Sequence, residues 1–287
     1  MSRRQGMSRE GLTARFDVAA GRRRCLAYRR RILDISQQVT ALHAAPAFSC
    51  LEMVDVIYHG LMRPKGGPGD PERFTDGFLM SKGHGCLAQY VILEDLGVLT
   101  KADLDQYCTA LGRLGAHPDY GVPGIEASTG SLGHGMGIAA GMAYADKIQG
   151  NDRRTYVMLS DGELQEGSTW EAMMMAGNLK LGNLIAFLDL NDFSGLERMS
   201  ERHPAFYPVA DKARAFGWEV AEVNGHDAAA VFRAVGSRGG DRPFILVGRT
   251  VKGRGVSFME HVPIWHYRSP NPQEYARALT ELAEVAS

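Results

Sequence analysis

Apolar residues along the chain recur with two periods, and the switches between them mark out the elements. Between residues 22 and 41, Leu26, Ile32, Leu33, Ile35 and Val39 fall at helical spacing and predict a first helix. Cys50 to Leu61, with Leu51, Val54, Ile57 and Tyr58 on one face, predicts a second. Pro64 to Pro71 is a Gly/Pro-rich surface loop. Phe78-Leu79-Met80 reads as a short buried strand that gives way at Ser81-Lys82-Gly83-His84-Gly85 to another helix. Arg113 to Gly133 follows neither period, and irregular passages of this length inside a compact domain are usually functional. Gly135 to Ile148 is a helix whose Gly and Ala positions permit close packing against a neighbour.

The clearest signal lies further on. Two apolar runs, Tyr156-Val157-Met158-Leu159 and Leu184-Ile185-Ala186-Phe187-Leu188, flank a stretch of helix formers from Thr169 to Leu181. Strand, crossover helix and strand normally give two adjacent parallel strands. Ala210 to Phe216 predicts a helix, Trp218 to Val223 and Phe244 to Gly248 two more strands, and a basic glycine loop follows at Lys252-Gly253-Arg254-Gly255. There is no internal repeat and no interdomain linker. The fold class is therefore α/β, a mainly parallel central sheet with helices on both faces, in one domain over residues 22–287. Residues 1–21 form an N-terminal extension, with Met7 as a second potential start.

Composition narrows the function classes. A chain of 287 residues, 45% hydrophobic and 23% charged, is ordinary for a soluble globular protein. A net charge of −1 gives no bulk attraction to nucleic acid or to an anionic membrane, and the apolar runs are too short to span a bilayer. Cys25, Cys50, Cys86 and Cys108 show no C-x-x-C spacing, which fits reduced thiols and a cytoplasmic protein. The arginine-rich N-terminus has no apolar core, so no secretory signal is expected. Arg22-Arg23-Arg24 and Arg29-Arg30-Arg31 are expected on a solvated helix face.

The chemistry concentrates where strands end. Ser160-Asp161-Gly162-Glu163 follows the first long run and Asp189-Leu190-Asn191 ends the second, so Asp161 and Asn191 are expected side by side at the carboxyl edge of the sheet. A carboxylate and an amide oxygen suit a Mg²⁺ that itself carries a diphosphate, and Gly162 lets a phosphate approach the backbone. His43, His84, His117, His134 and His266 fall in predicted loops. They lack metal-ligand spacing and suit hydrogen bonding and proton transfer near neutral pH. Lys252-Gly253-Arg254-Gly255 is either an anion clamp or a charged turn. No P-loop is present, Gly130 to Gly135 lacks the order of a dinucleotide loop, and Ser131 does not sit in a nucleophile elbow.

Six motifs in order carry a resemblance that runs from Ile32 to Asn271. They are Ser81-Lys82-Gly83-His84-Gly85; Gly115-Ala116-His117-Pro118; Thr129 to Gly135; Asp161-Gly162-Glu163-Leu164-Gln165-Glu166-Gly167 with Trp170-Glu171-Ala172; Lys180 to Ile185; and Lys252 to Glu260 with Trp265-His266. The chain resembles the N-terminal, diphosphate-binding domain of transketolase, in the stand-alone form of a split enzyme. The resemblance implies the thiamine diphosphate-binding fold, with thiamine diphosphate and Mg²⁺ or Ca²⁺ as cofactors. It implies Asp161, Asn191 and the main-chain oxygen of Phe193 as metal ligands. It places Gly162, Glu163, His84, His266 and Lys252 around the diphosphate and thiazolium, and Gly130, Ser131 and Leu132 along the aminopyrimidine. His43, His117 and His266 are implied as catalytic, and Glu166 as an interface glutamate linking two cofactor sites.

The implied reaction moves a two-carbon ketol unit from a ketose to an aldose. The family's activating glutamate belongs to a pyrimidine-binding domain that these 287 residues do not contain. A C-terminal partner subunit in a two-plus-two heterotetramer is therefore expected, with sugars as substrates and no nucleic acid or membrane partner. Other readings are a 2-oxo acid decarboxylating or acyloin-forming subunit, or an inactive regulatory one. Three departures from the family pattern stand out: Ser160 in place of a Gly, His43-Ala44-Ala45-Pro46 in place of H-P-G-G, and His134 where Gln is frequent. They point to a specialised sugar.

Overall fold

The computed structural model describes residues 16–39 and 42–284. Among these lie β1 (Gly77–Met80), β2 (Thr155–Ser160), β3 (Leu184–Leu190), β4 (Phe193–Ser194), β5 (Glu197–Arg198), β6 (Glu219–Asn224) and β7 (Phe244–Arg249). β4 and β5 form a small antiparallel hairpin, and the other five strands make one all-parallel sheet in the order β1-β2-β3-β7-β6. β2 and β3 are buried along their whole length, as continuous apolar runs at the centre of a parallel sheet should be.

Alternation along each strand feeds two separate cores. Tyr156, Met158, Ile185, Phe187, Phe244 and Leu246 point to one side, where they meet the helices Val18–Ser36, Ala44–Val56, Cys86–Asp95, Ala228–Gly236 and Pro272–Glu284. Val157, Leu159, Ala186, Leu188, Ile245 and Val247 point to the other, against Gly135–Gln149, Gly167–Asn178 and Val209–Ala215. Helices thus cover both faces.

Several elements differ from the sequence expectation. The first helix runs from Val18 to Ser36, capped by the Asp17 side chain, not from 22 to 41. Its first turn takes in residues 18–21 of the expected extension; residues 1–15, 40 and 41 lie outside the described part. The second helix begins at Ala44, and in place of an α-helical last turn Ile57–Leu61 forms a wider π-type turn. Ala228–Gly236 and Pro272–Glu284 are two further helices outside the sequence expectation, although their apolar residues fall at helical spacing. The arginine clusters are only half solvated. Arg24 pairs with Asp55 at 2.7 Å, Arg29 with Glu52 at 2.6 Å, and Arg31 with Glu94 and Asp105 at 2.9 Å, so these three staple the first helix to its neighbours.

One buried ion pair ties the carboxyl ends of the strands together. Lys82, just past β1, reaches over β2 to Asp189 near the end of β3, and both side chains are fully buried. The Lys82 ammonium also donates to the Pro46 carbonyl at 3.0 Å. Asp189 further accepts from Ser49 Oγ at 2.5 Å, from Asn191 Nδ2 at 3.0 Å and from Thr250 Oγ1. Burial opposes both charges. Even so, Asp189 holds Lys82 above its ordinary pKa, and Lys82 with these hydroxyls holds Asp189 below its own. Removing one partner strands the other charge in the interior. Lys82→Met should therefore lower the unfolding free energy by about 3–5 kcal/mol, read as a fall in urea midpoint at unchanged slope. A loss under about 1 kcal/mol would show that the pair does not hold the strand ends.

Candidate active site

Loops leaving the carboxyl ends of β1, β2, β3 and β7 converge on one pocket, the usual ligand position in an open α/β sheet. β2 supplies Asp161, which caps a single 3-10 turn, Gly162–Gln165. Its carboxylate is wholly buried and accepts from the Gly162 amide at 3.0 Å and the Asp192 amide at 2.5 Å. It forms no ion pair among the described residues. Burial, helped by the neighbouring charge of Asp189, pushes its pKa up to about 7. β3 supplies Asn191, whose Oδ1 accepts from the Phe193 amide at 3.1 Å.

Lys252, beyond β7, is the complement. It is 2% exposed, with Nζ 2.6 Å from His266 Nδ1, 3.0 Å from the Gly195 carbonyl and 4.7 Å from the centre of the Phe193 ring. No carboxylate pairs with it among the described residues. Burial and the charge of Lys82 bring its pKa down to about 7. The pocket therefore holds a buried carboxylate lacking a cation and a buried amine lacking an anion. A divalent metal chelated to a diphosphate matches both, and the hard oxygens of Asp161, Asn191 and a main-chain carbonyl suit Mg²⁺ or Ca²⁺. Among the described residues no group of three His, Cys, Asp or Glu could hold a metal unaided.

Four of the five expected histidines come together. The His43 ring lies 6.0 Å from those of His84 and His117 and 5.4 Å from that of His266, and His84 and His266 are 5.2 Å apart. His134 does not join them: it is exposed, with Nδ1 3.1 Å from the Ser131 carbonyl and 3.3 Å from that of Leu132. Tyr267, which sequence reasoning missed, closes the group at 4.4 Å from His266 and 5.5 Å from His43. Glycine makes the assembly compact. A Cβ on Gly83 would fall 2.6 Å from the Gly130 Cα, and Gly130, at φ 128°, has the His117 ring 2.7 Å from where its own Cβ would stand.

The remaining expected residues sit around the rim. Ser131 is exposed and Leu132 half-buried. Glu163 is buried and acts as a brace: its Oε1 accepts from Ser81 Oγ and from the Gly133 amide at 3.1 Å, while its Oε2 has no partner. Glu166 is exposed beside Gly133. Sequence reasoning gave Lys82 and Asp189 no role, because nothing in their spacing announces a pair formed across the sheet.

Burial, followed by neighbouring positive charge, lowers the pKa of His43 to about 4 and of His266 to about 3, and holds His84 well below its ordinary value. These rings are neutral in the fold, whereas in the unfolded chain they take up protons below about pH 6.5. The unfolded state thus binds more protons between roughly pH 6.5 and 4, and stability must fall as pH drops through that window. His43→Gln should flatten this slope by up to about 1.4 kcal/mol per pH unit in urea titrations of the unliganded chain. An unchanged slope would remove His43 from the buried cluster.

Comparison with known proteins identifies the family. Residues 22–266 match the family model described as transketolase, thiamine diphosphate binding domain. The chain is 37% identical over 260 residues to an apulose-4-phosphate transketolase subunit of Phocaeicola vulgatus, covering 89% of this chain and 91% of that protein. It is 36% identical over 264 residues to the protein of the same name from Actinobacillus succinogenes, covering 90% and 94%. The solved transketolase of Leishmania mexicana superposes with a TM-score of 0.84 at 29% identity, over 92% of this chain but only 41% of that one. The chain thus spans about two fifths of the full-length enzyme. With the family model matched across most of its length, the chain belongs to the transketolase family, as its thiamine diphosphate-binding domain.

Proposed function

We propose that this chain is the diphosphate- and metal-binding subunit of a two-component transketolase. The observation that carries the reading is that Asp161 and Lys252 are both buried in one pocket and neither forms an ion pair among the described residues. On this reading Asp161, Asn191 and the Phe193 carbonyl hold Mg²⁺, while Lys252, His84 and His266 face the diphosphate. Gly130 to Leu132 lie along the aminopyrimidine, with Gly162 and Glu163 shaping the loop beneath the diphosphate. Thiamine diphosphate, when bound, supplies the electron sink that allows a ketose carbon–carbon bond to break and a new one to form.

The protein's own part is to orient, to shield and to move protons. The His43 and His117 rings lie 6.0 Å apart, and both can accept or return protons at sugar hydroxyls. Tyr90 Oη donates to the His117 carbonyl at 3.0 Å and so fixes that loop. Half-exposed Tyr267 stands 5.5 Å from His43, with the rebuilt Ala44-Ala45-Pro46 segment buried behind that ring, and this altered setting favours a specialised sugar.

A second chain is part of the proposal. The two similar bacterial proteins are each named as one subunit of a transketolase. The helices Gly135–Gln149 and Gly167–Asn178 leave Ile138, Tyr144, Ile148, Met174 and Met175 between 37% and 66% exposed on the side away from the sheet. Exposed Glu166 and the Ser131–Leu132 edge adjoin these helices. Apolar exposure of this kind marks an interface, and a chain carrying a pyrimidine-binding domain fits it, in a two-plus-two assembly.

The deciding experiment is reconstitution of the chain with a partner co-purified from its native cells, assayed on a ketose donor and an aldehyde acceptor. Two-carbon transfer dependent on thiamine diphosphate and Mg²⁺ is expected. CO₂ release from a 2-oxo acid would point to a decarboxylating subunit, and no turnover to a regulatory one. Asp161→Ala should abolish the metal dependence of cofactor binding in calorimetry; unchanged affinity would sink the metal assignment. His117→Ala should lower turnover about a hundredfold with cofactor affinity little changed, and wild-type rates would take it off the catalytic list.

A further inference from the structure

Lys252 can complement a diphosphate only if its loop is held, and that loop is clamped from below by residues outside the pocket. β6 ends beside β7, with Asn224 opposite Arg249, and this brings His226 under the turn that follows β7. The Val251 amide donates to His226 Nε2 at 2.8 Å, so that nitrogen must carry the lone pair and the ring proton must sit on Nδ1. Nδ1 is 2.9 Å from Glu52 Oε2, the acceptor this tautomer requires. The His226 side chain is 9% exposed and that of Glu52 13%, so water offers little competition.

Glu52 belongs to the Ala44–Val56 helix, whose N-terminal residue follows His43. Its second oxygen pairs with Arg29 at 2.6 Å, and Arg29 Nε in turn donates to the Arg254 carbonyl at 2.9 Å. Between these two points the Gly253 amide donates to the Ala45 carbonyl at 3.2 Å. Residues 251, 253 and 254 are therefore each fastened, directly or through intervening side chains, to the helix that carries His43 at its start. Lys252 alone of this run sends its side chain into the pocket.

We propose that His226 is a positioning residue for the cofactor site: accepting from the Val251 amide while donating to Glu52, it fixes the loop so that Lys252 faces the diphosphate. This rests on the proposed role of Lys252 and goes beyond it, since His226 touches neither cofactor nor substrate. The device couples the anion-binding loop to the His43 helix, so the two sides of the pocket hold one spacing.

Isosteres separate the two ring nitrogens. An Asn amide reaches the position of Nδ1 and keeps a donor for Glu52 but offers Val251 nothing. A Gln amide reaches the position of Nε2 and keeps an acceptor for Val251. The test uses the full chain with Mg²⁺ and inorganic pyrophosphate as probe, read by calorimetry, with hydrogen exchange at the Val251 amide and melting temperature followed in parallel. His226→Asn should speed Val251 exchange and weaken pyrophosphate binding about tenfold, as expected for loss of one buried hydrogen bond. His226→Gln, which keeps the acceptor for Val251 and gives up the donor to Glu52, should leave Val251 exchange within about twofold of wild type while weakening pyrophosphate binding less than His226→Asn does. A residue that merely filled space would lower the melting temperature without distinguishing Asn from Gln. Faster Val251 exchange with unchanged affinity in His226→Asn would overturn the proposal, as would equal loss in both variants. If the unaltered chain binds no pyrophosphate with Mg²⁺, the cofactor reading itself fails and this inference with it.

Discussion

The geometry of the site depends on one constraint, the buried pairing of Lys82 with Asp189. Each charge alone would be intolerable in the interior; together they are satisfied by Pro46, Ser49, Asn191 and Thr250, residues drawn from the Ala44–Val56 helix, from the end of β3 and from beyond β7. Because both oxygens of Asp189 are engaged, the segments that carry His43, His84, Asn191 and Lys252 are indexed to one carboxylate. Burial is the main cause of the raised pKa of Asp161 and the lowered pKa of Lys252, and the pair adds to the field there: Asp189 lifts Asp161 and Lys82 depresses Lys252, while Lys82 opposes the first shift and Asp189 the second.

That field explains why the histidines are neutral. Positive charge from Lys82 and Lys252 adds to desolvation at His43, His84 and His266. Neutral imidazoles can serve as acceptors and donors to sugar hydroxyls without repelling a metal ion, while the diphosphate's charge is met by the lysine. The glycines at 83 and 130 matter for the same compactness, since they let His117 reach the other rings with backbone packed directly on backbone.

Much of this is legible in the sequence. β2 and β3 announce themselves because each is a continuous apolar run that stops abruptly at polar residues, and the placement of Asp161 and Asn191 at adjacent strand ends follows from that alone. The gathering of the histidines comes through family motifs and not from spacing. What stays hidden is long-range. Lys82 and Asp189 meet across 107 positions of chain, and Arg24, Arg29 and Arg31 look solvated until Asp55, Glu52 and Glu94 are placed opposite them. Ala228–Gly236 carries a readable start, since Asp227 caps it. Pro272–Glu284 is readable as well, since Tyr275, Ala278, Leu279 and Leu282 fall at helical spacing with Ala278 and Leu282 fully inside.

The strand order has a consequence in time. β7 lies between β3 and β6, so β6, although made earlier, has no sheet partner until β7 has emerged and paired with β3. Until residue 250 emerges, Asp189 lacks the Thr250 hydroxyl, and until residue 252 emerges the pocket lacks its amine. A nascent chain released too early from the ribosome would expose the edge of β3 along the row where β7 should dock, an invitation to mispairing with other strands. The site therefore cannot be complete before β7 has closed the sheet between β3 and β6.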